Sequence, residues 1–162
     1  SECGKVAERK GGGKPLLLKL SPDGSDDEII ASAQMALRRG IDGFVATNTT
    51  LHRPVPSNTR SRGIFAESGG LSGRPLQSRS VEVIRLLYEE GGSEVPIVGV
   101  GGIDSAATAW EAMTSGASLL QLYSALVFKG PSVVPHIVKG LRRKIRDNGF
   151  LSIEEAVGYG NP

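Results

Sequence analysis

The sequence has little of what defines several large classes of protein. Its one cysteine, Cys3, excludes an internal disulfide framework and a metal site built from several cysteines. The formal net charge is only +2 at pH 7, so no excess of positive charge indicates a nucleic-acid partner. Apolar runs stay well short of the roughly 20 residues that a membrane-spanning helix requires. We therefore expect a globular domain without a signal peptide, a bound metal or a nucleic-acid partner.

Glycine, by contrast, is abundant, with 22 residues among 162. Many glycines follow apolar runs, where a residue without a side chain lets the backbone approach a ligand closely. Residues 1–14 are polar and glycine-rich and predict a lead-in or linker. The folded domain is predicted to span residues 15–162.

Four short apolar runs alternate with amphipathic segments. The runs are nearly continuous in hydrophobicity, which is typical of strands buried on both faces of a parallel sheet, and they cover residues 16–20, 43–47, 96–100 and 118–122. Helix starts are predicted at Ser25, which forms a capping-box pattern with Glu28, at Ser80, at Asp104 or Ser105, and near Pro131. This alternation predicts an α/β fold with a parallel sheet.

Two architectures fit this order of elements. One is an open sheet of four strands, and the other is half of a (β/α)8 TIM barrel, whose usual size is about 250 residues. In both, ligands bind beyond the carboxyl ends of the strands. The long connection between Thr50 and Ser80 is predicted to be a functional loop at that end.

Glycine-rich and polar groups follow the last two apolar runs. The third run leads through Gly101 and Gly102 towards a helix, and glycine amides next to a helix N-terminus favour phosphate binding. Tyr123 and Ser124 follow the fourth run, at the position of the common phosphate site of barrels. Glycines also serve tight turns, and this pair alone does not separate the two roles.

Lys19 and residues 47–50 each allow two interpretations. An unpaired ammonium group is expensive to bury among leucines. Lys19 could reach solvent or pair with an acid at the strand end, or it could face a bound anion such as the N1/O2 edge of a reduced flavin. The segment Thr47-Asn48-Thr49-Thr50 could contact a polar heterocycle through its amide and hydroxyl groups, or form a turn that ends the strand.

Five blocks of sequence carry a resemblance to a known family. They are LLLKLSPD (16–23), GIDGFVATNTT (40–50), GGLSGRPL (69–76), PIVGVGGIDS (96–105) and GASLLQLYSALVFKGP (116–131). In their order and spacing they resemble dihydroorotate dehydrogenases over nearly the whole chain from Pro15 onward. The block GGLSGRPL and the closing NGFLSIEEAVG are more similar to the class 2, quinone-linked enzymes than to the soluble class 1 enzymes.

The resemblance implies a flavoprotein oxidoreductase in which this chain supplies about the last four β/α units of the barrel. Such an enzyme uses FMN to oxidise (S)-dihydroorotate to orotate in de novo pyrimidine (UMP) biosynthesis and passes the electrons to a ubiquinone-type quinone. By position in the motifs, the FMN-binding residues would be Lys19, Thr47, Gly73, Gly101, Gly102, Tyr123 and Ser124. Asn48 and Thr49 would hold the orotate ring.

The matched blocks do not include the loop that carries the catalytic serine of class 2 enzymes, which belongs to the first half of the barrel. We therefore expect no catalytic residue in this chain, and no activity without its N-terminal half. That half would also contribute the membrane surface and the quinone tunnel. The resemblance implies the mitochondrial inner membrane in a eukaryote, or a peripheral position on the cytoplasmic membrane in a bacterium.

Two other functions remain open from the sequence. One is a different FMN barrel, such as a segment of a dihydropyrimidine dehydrogenase. The other is a non-catalytic half barrel that binds a phosphate-containing ligand and functions by association. Both share the predicted phosphate site, so the glycine and Tyr123-Ser124 motifs alone do not exclude them.

Overall fold

The computed structural model describes residues 13–55, 62–63 and 65–161. Within these ranges the sheet has four parallel strands in the order β1-β2-β3-β4. They are β1 (Leu17–Leu20), β2 (Gly43–Ala46), β3 (Ile97–Val100) and β4 (Leu119–Gln121), and each lies within its predicted run. Most of the predicted lead-in, residues 1–12 with Cys3, lies outside the described residues.

Helices connect these strands and follow the last one. Those whose bounds the structure describes in full are α1 (Asp26–Arg38), α2 (Gln77–Gly91), α3 (Ala106–Thr114), α4 (Ser124–Lys129) and α5 (Val133–Asp147), with 3-10 turns at Arg74–Leu76 and Glu154–Ala156. Because each connection returns the chain to the same end of the sheet, consecutive strands pair in parallel. The predicted α/β architecture is confirmed. The sequence pattern does not predict α4, since six residues are too few to show helical periodicity.

Reciprocal hydrogen bonds mark the starts of α1 and α3. The Ser25 Oγ accepts from the Glu28 amide at 3.3 Å, and the Glu28 carboxylate accepts from the Ser25 amide at 2.9 Å. Ser105 and Thr108 form the same pattern at α3. Each capping box satisfies amide groups that have no partner within the helix. The predicted starts at Ser25 and Ser105 are therefore confirmed.

The predicted start of α2 at Ser80 is wrong. The helix begins at Gln77 and continues directly from the 3-10 turn, whose first positions include Pro75. Proline suits the first helical positions because its fixed φ matches the helix and no amide is needed there. Ser80 consequently lies inside the helix and is buried, with its Oγ 3.0 Å from the Thr47 Oγ1 at the end of β2.

The core lies between the helices and one face of the sheet. Alternate residues of each strand point to this side, as the period of two along a strand requires. The buried cluster includes Leu20, Ile29, Ala33, Phe44, Ala46, Val83, Ile84, Leu87, Ile97, Ala109 and Ile137. Removal of these apolar side chains from water is the main stabilising contribution.

The opposite face of the sheet is less covered in the described part of the chain. Lys19, Val45, Val98 and Leu119 form one row across the four strands. Val45 and Val98 are half-buried, and Leu119 is 60% exposed. The continuous hydrophobicity of the runs predicts burial on both faces, whereas the structure shows it mainly on the helix side. We call this side of the sheet, marked by the row Lys19, Val45, Val98 and Leu119, the open face.

We expect Leu87→Ala to lower the free energy of unfolding by about 2–5 kcal/mol, because the substitution leaves a cavity in the core. Leu151→Ala is the matched control, since it removes the same atoms from a side chain that is 91% exposed. Its effect should stay within about 0.5 kcal/mol. Urea titration followed by circular dichroism measures both values. Equal effects of the two substitutions would contradict this position of the core.

Candidate functional site

A cavity of about 770 Å³ lies beyond the carboxyl ends of the four strands. Volumes of roughly 300–1,000 Å³ are typical of sites for small molecules and cofactors. Its walls come from every strand end, from residues 70–76 and from α4. All nine residues that the sequence predicts to contact ligands line this cavity: Lys19, Thr47, Asn48, Thr49, Gly73, Gly101, Gly102, Tyr123 and Ser124.

Lys19 is the cation at the β1 side of the cavity. It belongs to the open face, and its side chain is exposed. No ion pair joins it to a carboxylate in the described ranges, where the ion pairs involve other cations. Pairing with an acid is therefore not seen in the described chain. The exposed side chain agrees with an ammonium group that reaches solvent, and its place in the cavity wall also leaves it available to an anionic ligand.

The four residues after β2 divide into two pairs. Thr47 and Thr50 are buried, and their hydroxyl groups bond within the protein. The Thr47 Oγ1 donates to the Asn48 carbonyl at 2.9 Å, and the Thr50 Oγ1 donates to the Asp23 carboxylate. Asn48 and Thr49 are exposed and line the cavity. The buried pair shapes the turn, and the exposed pair remains available for contact with a ligand.

Two hydroxyl groups connect the segment before α2 with the start of α4. The Ser72 and Ser124 Oγ atoms lie 2.8 Å apart, and both residues line the cavity. Between Ser72 and the 3-10 turn, Gly73 has a φ of +83°. A β carbon there would meet Ser124 only at 3.6 Å, so this position needs glycine for its backbone conformation rather than for space. Ser72 was not predicted from the sequence.

Gly101 and Gly102 form a tight turn against α2. Their φ values are +131° and +69°. A β carbon on Gly101 would lie 2.1 Å from the Ser80 Oγ, and one on Gly102 would lie 2.7 Å from the Gln77 Cα. Packing of the turn on the helix therefore requires both glycines, whether or not a ligand approaches their amides. The alternative that these glycines serve a tight turn has direct support.

The two helices that start at the cavity differ in their first turns. At α3, the Ser105 and Thr108 side chains already bond amide groups of the first turn. At α4, whose N-cap residue is Tyr123, no side chain of the described chain makes such a bond. The sequence predicts phosphate binding both at the helix after Gly102 and at Tyr123-Ser124. Of these two helix starts, that of α4 at Tyr123-Ser124 is the one whose amides no side chain of the described chain caps.

Three charged residues at the cavity were not predicted; we call Arg74, Asp104 and Lys129 the Asp104 cluster. The Arg74 Nε and the Lys129 Nζ lie 2.7 and 3.3 Å from the same Asp104 oxygen, Oδ2. Burial raises the pKa of Asp104, but hydrogen bonds from both cations and their charges outweigh it and hold this pKa below its usual value. The carboxylate is therefore ionised at neutral pH. Each member lies in one of the blocks quoted above, but the sequence does not show that these three separate segments bring their charges together.

A second cavity, of about 440 Å³, lies beside the connection between β1 and α1. The Asp23 carboxylate in its wall accepts hydrogen bonds from the Thr50 hydroxyl and from the Leu51 amide, the latter at 2.8 Å. Burial raises the pKa of Asp23, but these hydrogen bonds and the nearby charges of His52 and Arg53 lower it below its usual value. Asp23 thus holds Thr50 and Leu51 in place, the two residues that follow the exposed Asn48 and Thr49.

Parallel strands, intervening helices and a cavity beyond the strand ends define the class of α/β proteins in which ligands bind at the carboxyl edge of the sheet. A family model described as dihydroorotate dehydrogenase matches residues 2–145. The chain belongs to the dihydroorotate dehydrogenase family.

Curated relatives are named dihydroorotate dehydrogenase (quinone), a name that adds the quinone acceptor to that of the family. The dihydroorotate dehydrogenase (quinone) of Prochlorococcus marinus strain MIT 9313 is 45% identical over an alignment of 154 residues that covers 91% of this chain and 39% of that protein. The protein of the same name from Vibrio cholerae serotype O1 (Classical Ogawa 395) is 53% identical over 128 residues, 78% of this chain and 37% of that protein. The chain thus spans about two-fifths of the length of these relatives.

A solved structure has the same arrangement of elements. The crystal structure of ligand-free DHODH from Eimeria tenella has a TM-score of 0.82 and 32% sequence identity to this chain. The match covers 90% of this chain and 40% of that one. The predicted barrel class is thereby confirmed, with this chain corresponding to part of the barrel.

Two properties of the described ranges concern membranes and metals. None of the helices there has both the length and the apolar character needed to cross a bilayer. In the same ranges, no group of three or more His, Cys, Asp or Glu side chains is arranged to hold a metal ion.

Gly102→Ala is expected to destabilise the protein by more than Gly40→Ala. Both glycines have a positive φ, +69° and +74°, so an alanine at either position carries a similar backbone strain of about 1–2 kcal/mol. Only at Gly102 would the new β carbon also collide with Gln77, whereas nothing lies within 4 Å at Gly40. The difference between the two unfolding free energies isolates the packing of the turn. A smaller effect at Gly102 than at Gly40 would contradict the contact with α2.

Proposed function

We propose that this chain is the FMN- and orotate-binding part of a quinone-linked dihydroorotate dehydrogenase. The complete enzyme oxidises (S)-dihydroorotate to orotate in pyrimidine biosynthesis. The observation that carries this proposal is the convergence of nine predicted ligand-binding residues on one cavity, at the carboxyl edge of the sheet, in a chain of this family. Family membership alone would leave open whether this part of the protein forms the binding site.

The cavity fits FMN in volume, and the residues that line it fit FMN in their chemistry. The volume of about 770 Å³ is in the range of cofactor sites. Lys19 would lie against the isoalloxazine ring, and the turns at Gly101-Gly102 and Tyr123-Ser124 would surround the phosphate, with Thr47 and Gly73 completing the wall. When bound, FMN supplies the acceptor for the two electrons that leave the dihydropyrimidine ring and passes them on to a quinone. The positive charge of Lys19 favours electron uptake at that end of the site.

Asn48 and Thr49 are proposed to hold the substrate ring. Both side chains are exposed at the cavity, and in the described chain neither is engaged in a side-chain hydrogen bond. An amide offers a donor and an acceptor in one plane, which suits the alternating carbonyl and N–H groups of a pyrimidine ring. The buried Thr47 and Thr50 on either side would keep this pair in place.

Proton abstraction is assigned to the N-terminal half of the same protein, which we propose as the partner of this chain. Two observations support this. The chain spans 39% of its Prochlorococcus relative, and its open face leaves Leu119 60% exposed. A closed barrel would cover that face with the inward side chains of the remaining strands. Without them we expect the chain to be catalytically inert.

The quinone and the membrane would be met by the N-terminal half rather than by this chain. We propose a peripheral position on the cytoplasmic membrane if the protein is bacterial, and on the mitochondrial inner membrane if it is eukaryotic. The support is the shared name of the relatives, which specifies a quinone acceptor.

The proposed function is tested on the whole barrel, that is, on this chain together with its N-terminal half. The purified protein should show flavin absorbance, and anaerobic dihydroorotate should bleach it. Dihydrouracil is the control substrate, because a dihydropyrimidine dehydrogenase would act on a ring without the carboxylate. Bleaching by dihydrouracil instead would favour that alternative. Colourless protein that takes up no added FMN would favour the non-catalytic half barrel.

Lys19→Ala should slow anaerobic reduction of the flavin by dihydroorotate by about 10- to 100-fold, the range for loss of one charge-assisted contact. Stopped-flow absorbance measures the rate directly. Lys14→Ala is the matched control, since Lys14 has the same charge and lies outside the cavity lining; its rate should be unchanged. Equal rates for Lys19→Ala and the unaltered protein would remove Lys19 from the site.

A further inference from the structure

The Asp104 cluster and Lys19 line the same cavity from the ends of different strands. Lys19 is on β1, whereas Asp104 follows β3 and Lys129 ends the helix that follows β4. Neighbouring strands are about 4.8 Å apart, so two to three strand spacings separate the two ends by roughly 10–14 Å. Cations therefore line the cavity at two separated strand ends, and a ligand that carries an anion far from its ring system could contact both.

Asp104 is the fixed member of the cluster. Its side chain is 13% exposed, compared with 76% for Arg74 and 45% for Lys129. The Lys129 Nζ also donates to the Asp104 main-chain carbonyl at 2.8 Å, in addition to its contact with the carboxylate. Asp104 therefore holds two more mobile cations against the turn that follows Gly102. Without the carboxylate, both long side chains would be free to sample other rotamers in solvent.

The cluster has one positive charge in excess, and part of its hydrogen-bonding capacity is unused. Two cations share a single carboxylate. In the described chain Arg74 donates through Nε alone, which leaves its two terminal nitrogens for another acceptor. A guanidinium fork matches phosphate oxygens closely, and an ammonium group acts as a point charge beside it. A salt bridge that only connected loops would need neither the second cation nor the unused terminal nitrogens of Arg74.

We propose that Asp104 is a positioning residue that orients Arg74 and Lys129 towards the phosphate monoester of the bound flavin, so that the Asp104 cluster selects FMN over flavins without a phosphate. The inference rests on the proposed function. It assigns phosphate recognition to side chains in addition to the backbone amides of the two turns at the cavity. It also assigns roles to three cavity residues that lie within the family blocks 69–76, 96–105 and 116–131 but are not among the nine predicted ligand-binding residues.

The test compares FMN with riboflavin, which has the same ring and ribityl chain but no phosphate. Dissociation constants for both are measured on the whole barrel by quenching of flavin fluorescence. Lys129→Met should weaken FMN binding by about 10- to 100-fold, the range for a hydrogen bond to a charged group, and leave riboflavin binding within about twofold. Lys139→Met is the matched control, because Lys139 is exposed on α5 and does not line the cavity. It should change neither constant.

The variant Asp104→Asn distinguishes a positioning role of Asp104 from the effect of its negative charge alone. Removal of a negative charge beside a phosphate would, by Coulomb's law alone, tighten FMN binding. We expect it instead to weaken FMN binding by several-fold, since both cations lose their anchor, with riboflavin again unchanged. Tighter FMN binding by Asp104→Asn would overturn the positioning role.

The remaining outcomes distinguish this inference from the proposed function. If the unaltered protein binds FMN and riboflavin equally, or if Lys129→Met weakens both flavins alike, the inference fails and the flavin-binding function stands. If the unaltered protein binds neither flavin, both fail together. Circular dichroism of each variant shows whether it is folded, and Lys129→Arg, which retains the charge, should restore most of the FMN affinity.

Discussion

Parallel pairing of four strands in chain order is the constraint on which the site depends. In this arrangement every strand ends at the same edge of the sheet, and the residue after each strand lies next to its counterparts. Lys19, Asn48, Gly102 and Ser124 come from separate parts of the sequence and reach one cavity for this reason. An antiparallel sheet with the same residues would distribute them between two edges.

Helix α2 packs against the turns that line the cavity. Its first turn contacts two strand ends at once, because the Ser80 hydroxyl meets Thr47 after β2 and would meet any side chain at position 101 after β3. Gln77 packs against Gly102, where a β carbon would lie 2.4 Å from the Gln77 Cβ. The early start of this helix therefore has a structural role: it brings a buried hydroxyl and a close backbone contact to the turns that line the cavity. A helix starting at Ser80 would leave both turns without that support.

Much of this could be predicted from the sequence, and the parts that could not have physical reasons. Apolar runs located the strands, and a capping box located α1, because both signals are local. The start of α2 was predicted wrongly because Ser80 resembles a cap, whereas its hydroxyl bonds to Thr47 across the core. The Asp104 cluster has no local signal, since its ion pairs join segments 30 and 25 residues apart in the chain.

The long connection after β2 leaves and returns through a narrow neck. Thr50 and Leu71 exchange two main-chain hydrogen bonds, of 3.0 and 2.7 Å, and Arg53 donates to carbonyl groups on both sides of the neck, those of Thr50 and Gly69. The entropy of closing a loop grows only with the logarithm of its length, by about 0.6 kcal/mol for each doubling. With its ends fixed in this way, the stretch between them can gain or lose residues during evolution at little thermodynamic expense. Residues 51–55, on the outgoing side of the neck, do not line the larger cavity, so this side is a natural point of attachment for a label or an inserted domain. Gly70, on the returning side, does line the cavity, and a β carbon there would lie 1.9 Å from the Thr49 Oγ1.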